Sequence, residues 1–158
     1  MELIRNALDK VIEWFCIVIM GVMTILVTWQ VITRYVFNNP SVFTEQTSQY
    51  LFVWLIMYGS AYVFGKREHM KISFVRDLVR KSVRKYFDII QEIITMIFVL
   101  CVMVYGGYYS TLKQMVQTDA TLQIPMGVIY SAIPISGLII IFYTTTNIKR
   151  IVCSYDYK

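Results

Sequence analysis

Lys66–Glu92 reads KREHMKISFVRDLVRKSVRKYFDIIQE, a long polar stretch in an otherwise apolar chain. Eight of the fifteen Lys and Arg residues lie in it: Lys66, Arg67, Lys71, Arg76, Arg80, Lys81, Arg84 and Lys85. Two apolar runs precede it and two follow. Its own apolar residues, Val75, Leu78, Val79, Val83, Tyr86 and Phe87, recur three or four apart. Arg76, Arg80, Lys81, Arg84 and Lys85 fall mostly on the other side. The pattern predicts an amphipathic helix over about residues 72–88 with a basic face. Such a helix lies in a membrane interface, its apolar side toward acyl chains and its basic side toward anionic lipid headgroups.

The runs on either side predict an all-α membrane protein with four transmembrane helices. From Trp14 to Thr33 no residue is charged. That run of about twenty residues crosses a hydrocarbon core of roughly 30 Å. It continues to Phe37, giving a first span over about 14–37, and Asn38, Asn39 and Pro40 break it. The second span, about 46–65, opens after Thr44 and Glu45, where an acid suits a helix N-terminus. Gly59, Ser60 and Ala61 form a small-residue patch suited to close helix approach. The third span, about 90–112, ends in Tyr105, Tyr108 and Tyr109, which fit an aromatic belt. The fourth, about 126–148, opens at Pro125 and Gly127 and carries Pro134, which is expected to kink it. Met1 to Glu13 reads as a short helical lead-in lying at the interface.

Composition agrees. Apolar residues make up 57% of the chain and the mean hydropathy is +0.56, against roughly 45–50% apolar in soluble domains. The net charge of +5 would suggest nucleic acid if it lined a soluble face. Here the basic residues flank apolar runs. Cys16, Cys101 and Cys153 show no metal or redox spacing and read as free thiols. The first run is too long for a cleaved signal, and Asp9 and Glu13 precede it, so it reads as a retained span. Thirteen of the fifteen basic residues lie at the termini or in the central stretch, leaving Arg34 and Lys113. Both termini and the centre are therefore expected in the cytoplasm, with loops Asn38–Glu45 and Lys113–Gln123 outside.

Catalysis finds no support. His69 is the single histidine, and no nucleophile–base set, glycine-rich phosphate loop or metal-ligand cluster is legible. No enzyme activity, cofactor or metal is expected. Thr24, Thr28, Gln30, Thr33, Ser60, Thr95, Ser131 and Ser136 are scattered and do not converge on an ion path, so the chain is not expected to transport by itself. Arg34 and Glu45 flank the first outer turn. They either form an ion pair that fixes the first hairpin, contact a partner, or snorkel separately at the interface.

Three motifs point one way: WQVITRYVFNNPSVFTEQTSQYLFVW (Trp29–Trp54), the glycine-bearing end of the second span with Arg67 and His69 beyond it, and DATLQIPMGVIYSAIP (Asp119–Pro134). Together they resemble the DctQ-like small membrane subunit of the tripartite ATP-independent periplasmic (TRAP) transporters, over nearly the whole chain. Arg34, Tyr35, Asn38, Pro40 and Glu45 match the first motif, Arg67 and His69 the second, and Leu122, Pro125, Tyr130 and Pro134 the third. Gln46 follows Glu45 where many relatives carry a second acid. The resemblance implies a bacterial inner-membrane protein. It also implies a large multi-span (M type) partner that carries sodium and an organic acid of the sialic acid or C4-dicarboxylate type. A periplasmic (P type) binding protein would deliver the substrate, and this chain would brace the large subunit. The alternatives are a stand-alone multidrug-type exporter, which would need an acid deep in its first span, and a membrane scaffold or anchor unrelated to transport.

Overall fold

The computed structural model describes residues 2–66 and 81–156, with side chains over 5–66 and 88–151. Four helical rods account for almost all of them. The first is α1 (Glu2–Tyr35) and the second α2 (Val42–Lys66). The third runs as α3 (Lys81–Phe98), a π-helical segment (Val99–Gly106) and α4 (Gly107–Gln114). The fourth is the short α5 (Met126–Tyr130) followed by α6 (Ala132–Asp156). Three rods are long and apolar enough to cross a membrane: Arg5–Tyr35, Asp88–Gln114 and Met126–Ile151. α2 has the length, 25 residues or about 37 Å, but carries more polar side chains, Gln46, Thr47, Ser48, Gln49 and Ser60 among them.

The rods pack in a row. α1 lies against α2, α2 against α6, and α6 against the third rod along α3 and its π segment. α6 is consequently the most enclosed element, with Ala132, Ser136, Ile140, Tyr143, Thr144 and Asn147 all buried. Its centre meets Ala61 of α2 and Val99 of the π segment, with Phe64, Met103, Ile139 and Ile141 around them. Phe15 of α1 stacks edge-on against Tyr58 of α2, with centroids 5.0 Å apart. α1 and the third rod turn long apolar faces outward; Ile25 is 70% exposed and Ile94 61%. Such faces need a non-aqueous neighbour.

Local chemistry explains the breaks. Asn38 has φ 49°, a left-handed conformation that Asn tolerates better than other side chains. The Asn39 amide reaches back to the Thr33 carbonyl at 3.1 Å, which closes the end of α1, with Pro40 just beyond. Pro134 cannot donate to the Tyr130 carbonyl, and the fourth rod accordingly breaks at Ser131, between α5 and α6. The break stands three residues before the proline, and Ser131 Oγ covers the Val128 carbonyl at 2.6 Å. Of the predicted small patch, only Ala61 is buried; Ser60 is exposed and a side chain at Gly59 would meet nothing. The close approach lies at Gly65 instead.

The N-terminal lead-in is helical, as expected, and runs into the first span without a break, as part of α1, a helix of 34 residues. Arg5 within it is buried.

Candidate functional site

Side-chain polarity gathers at the two ends of the bundle. At one end Arg5 of α1 donates to the Gly65 carbonyl at the close of α2 and, at 3.3 Å, to Asn147 Oδ1 of α6. Its guanidinium also stands 5.9 Å from the Tyr143 ring centroid. The Tyr143 hydroxyl donates to Asp9, one turn along α1 from Arg5. An arginine fork is suited to this task, because it reaches a backbone carbonyl and an amide oxygen together. The last carbonyls of a helix lack partners within it, and Arg5 supplies one from another helix. Gly65 permits the arrangement: a Cβ there would lie 2.8 Å from the Tyr143 ring. Nearby, Tyr62 donates to Glu13 at 3.2 Å, and Lys66 sits 4.5 Å above the Tyr62 ring. α1, α2 and α6 are tied at one level.

At the other end the segment between α4 and α5 folds back on itself. Thr118 pairs with Pro125, and the Met126 amide bonds the Gln117 carbonyl at 2.8 Å. Gln123 takes φ 52° to make the turn. Asp119, nearly buried, accepts the Leu122 amide at 2.8 Å and the Thr121 amide at 3.1 Å. Gln46 of α2 donates to Asp119 at 3.3 Å and to the Tyr50 hydroxyl at 2.8 Å. The Leu122 amide, before the other donors, holds the Asp119 carboxyl below the usual carboxylate range.

The anticipated residues divide accordingly. Leu122, Pro125 and Tyr130 belong to the folded-back segment and the helix it leads into. Pro134 sits just past the break. Arg34, Tyr35, Asn38, Pro40 and Glu45 are exposed around the first turn. Arg34 and Glu45 are each exposed, on either side of that turn. Glu45 stands in the first turn of α2, where the helix dipole favours it. Lys81, Arg84 and Lys85 fall on α3. Arg67, His69, Arg76 and Arg80 lie outside the described residues, as does most of the expected interfacial helix.

Sequence reasoning missed both knots. Arg5 and Asp9 read as interfacial charges, and Tyr143 and Asn147 as part of an apolar run. Only the spacing of Arg5, Asp9 and Glu13 on one helical face hinted at a shared direction. Gln46, marked as a departure from a second acid, turns out to be the donor to Asp119. A carboxylate there would face another carboxylate.

Comparison with known proteins agrees with this architecture. The family described as "Tripartite ATP-independent periplasmic transporters, DctQ component" matches residues 23–154. A TRAP transporter small permease protein of Haemophilus influenzae is 29% identical over 141 residues, covering 89% of this chain and 86% of that protein. The sialic acid TRAP transporter small permease protein SiaQ of Vibrio cholerae is 22% identical over 142 residues, 90% of this chain and 82% of that one. The sialic acid TRAP transporter permease protein SiaT of Haemophilus influenzae is 24% identical over 136 residues, which cover 85% of this chain but 22% of the longer protein. With three apolar helices of spanning length, this is a multi-pass membrane protein and a transporter component rather than an enzyme, and the chain belongs to the DctQ component family of the TRAP transporters.

Proposed function

We propose that this chain is the static small subunit of a sodium-coupled TRAP transporter for organic acids, of the sialic acid or C4-dicarboxylate type. It braces a large M-type permease in the bacterial inner membrane. The observation that carries the reading is the knot of Arg5, Asp9, Gly65, Tyr143 and Asn147. Its buried polar groups bind one another across three helices and line no path. A carrier needs polar groups gathered along a route; a brace needs helices that hold their places. In this reading α2 crosses as a fourth span between α1 and α6, both termini face the cytoplasm, and the basic face of Arg76, Arg80, Lys81, Arg84 and Lys85 rests on anionic lipid. Sodium and substrate bind in the partner. The folded-back segment held by Asp119 and the turn around Asn38 form an outer surface for the P-type binding protein. SiaT supports the partnership, since the matching portion there belongs to a longer permease chain.

Proteoliposomes test the proposal. The large permease is reconstituted with and without this chain, binding protein is added, and sodium-driven uptake of sialic acid or a C4-dicarboxylate is followed. Uptake that requires the chain supports the reading. Uptake by the large permease without it, or transport by this chain alone, overturns it.

A further inference from the structure

The third rod meets the fourth along a series of close contacts. Val99 packs with Ile140, Met103 lies against Gly137, Gly107 against Ile133 and Pro134, and the Thr111 carbonyl against Gly127. Along the third rod these contacts recur every four residues. An α-helix turns by about 100° per residue, so residues seven or eleven apart share a face to within about 20°. Half-buried Asp88 and Glu92 stand eleven and seven residues before Val99 and meet that condition. Gly107 stands eight residues after Val99. In an unbroken α-helix it would be turned about 80° away from Val99, and Gly106 would take its place against Pro134. The π segment between them removes the mismatch. The Gly107 amide bonds the Val102 carbonyl, five residues back instead of four, and such a turn takes up one residue more than an α turn.

We propose that the third rod carries one residue more than its contacts with the fourth require, and that the π segment is the register device that absorbs it. Val99 can then hold the middle of α6 while Gly107 and Thr111 hold Pro134 and Gly127. The folded-back segment that follows α4 is thereby kept where Gln46 of α2 reaches Asp119. Of the two adjacent glycines, the contact selects Gly107. A Cβ there would lie 2.9 Å from Ile133 and 3.2 Å from Pro134, whereas one at Gly106 would meet only the Cys101 carbonyl at 3.6 Å.

Two sets of variants of the full detergent-solubilised chain test this, read by thermal unfolding and by amide exchange over residues 117–125. Gly107→Ala is expected to lower the unfolding midpoint by several degrees, and Gly106→Ala to leave it unchanged or raise it. Equal effects, or the reverse order, would mean that the rod keeps an α register, and would overturn the proposal. The second set removes single residues. Deleting exposed Cys101 leaves Val99 and Gly107 seven apart, the spacing that a continuous α-helix serves. The midpoint should hold and exchange over 117–125 should stay slow. Deleting Ile97, exposed on α3, spoils the spacing between Glu92 and Val99; the midpoint should fall and exchange should quicken several-fold. Exposed Val102 provides a second deletion within the π segment should the chain without Cys101 fail to fold. Deletions of Cys101 and Val102 that both damage the chain as much as loss of Ile97 overturn the proposal.

Discussion

Gly59 and Gly65 lie less than two turns apart on α2, yet their surroundings differ completely. Alanine at 59 meets open space, while alanine at 65 runs into the Tyr143 ring. Gly65→Ala is expected to lower stability by about 1–3 kcal/mol through overpacking. Gly59→Ala should leave it unchanged or raise it by up to about 1 kcal/mol through helix propensity. Thermal unfolding of the detergent-solubilised chain distinguishes them. Asn38 offers a second contrast. A β-branched residue at φ 49° is costly, so Asn38→Val should destabilise by about 1–2 kcal/mol, and Asn38→Gly should be tolerated. Asp119 sets the acid limit of the folded-back segment. Its carboxyl titrates below the unfolded value, near 3.9 for Asp. The contribution is complete above that value and is lost as pH falls through the lower folded pKa. Amide exchange over residues 117–125 should therefore stay slow down to about pH 4 and accelerate below it. Asp119→Asn should remove that pH dependence. None of these roles follows from residue type alone: glycine, asparagine and aspartate are all common in loops, and the partner that fixes each role is distant in sequence.

The rods themselves were legible. Uncharged runs of about twenty residues dictate helices where every backbone group must find its partner within the segment. Asn38-Asn39-Pro40 and Pro134 marked two interruptions, and the structure places breaks at or just before them. Less legible was the π segment from Val99 to Gly106, which hydropathy does not register. The faces were hidden as well, because lipid-facing and protein-facing leucines look alike. α6 carries no apolar stripe distinguishing it from α1, yet α6 is enclosed and α1 is not. The knot at Arg5 joins residues 60 and 142 positions away, beyond any local pattern. It nonetheless joins α1, α2 and α6 at one point. Arg5→Met strips the Gly65 carbonyl and Asn147 of their donor and should cost about 1–3 kcal/mol. Arg5→Lys keeps the charge without the fork and should fall between. A double-mutant cycle with Asn147→Ala should give a coupling of about 0.6–1.7 kcal/mol; additive losses would mean that the two side chains act separately.

Among the described residues, long apolar faces of α1 and the third rod turn outward, while the buried polar groups at Arg5 and Asp119 are bonded to one another and to neighbouring backbone. The orientation of the molecule is testable with thiols. In a variant with Cys16, Cys101 and Cys153 changed to alanine, Val116→Cys lies on the loop before α5 and is 90% exposed. It should react with an impermeant maleimide added outside spheroplasts, and Lys149→Cys should not. Rigidity is the central claim. Its most direct test is the distance between spin labels on exposed Ile25 of α1 and Leu138 of α6, measured with the large permease present. Sodium, substrate and binding protein are then added in turn. The account predicts one unchanged distance throughout. A shift approaching one helical turn, about 5.4 Å, would show that this chain moves with the transport cycle and would contradict it.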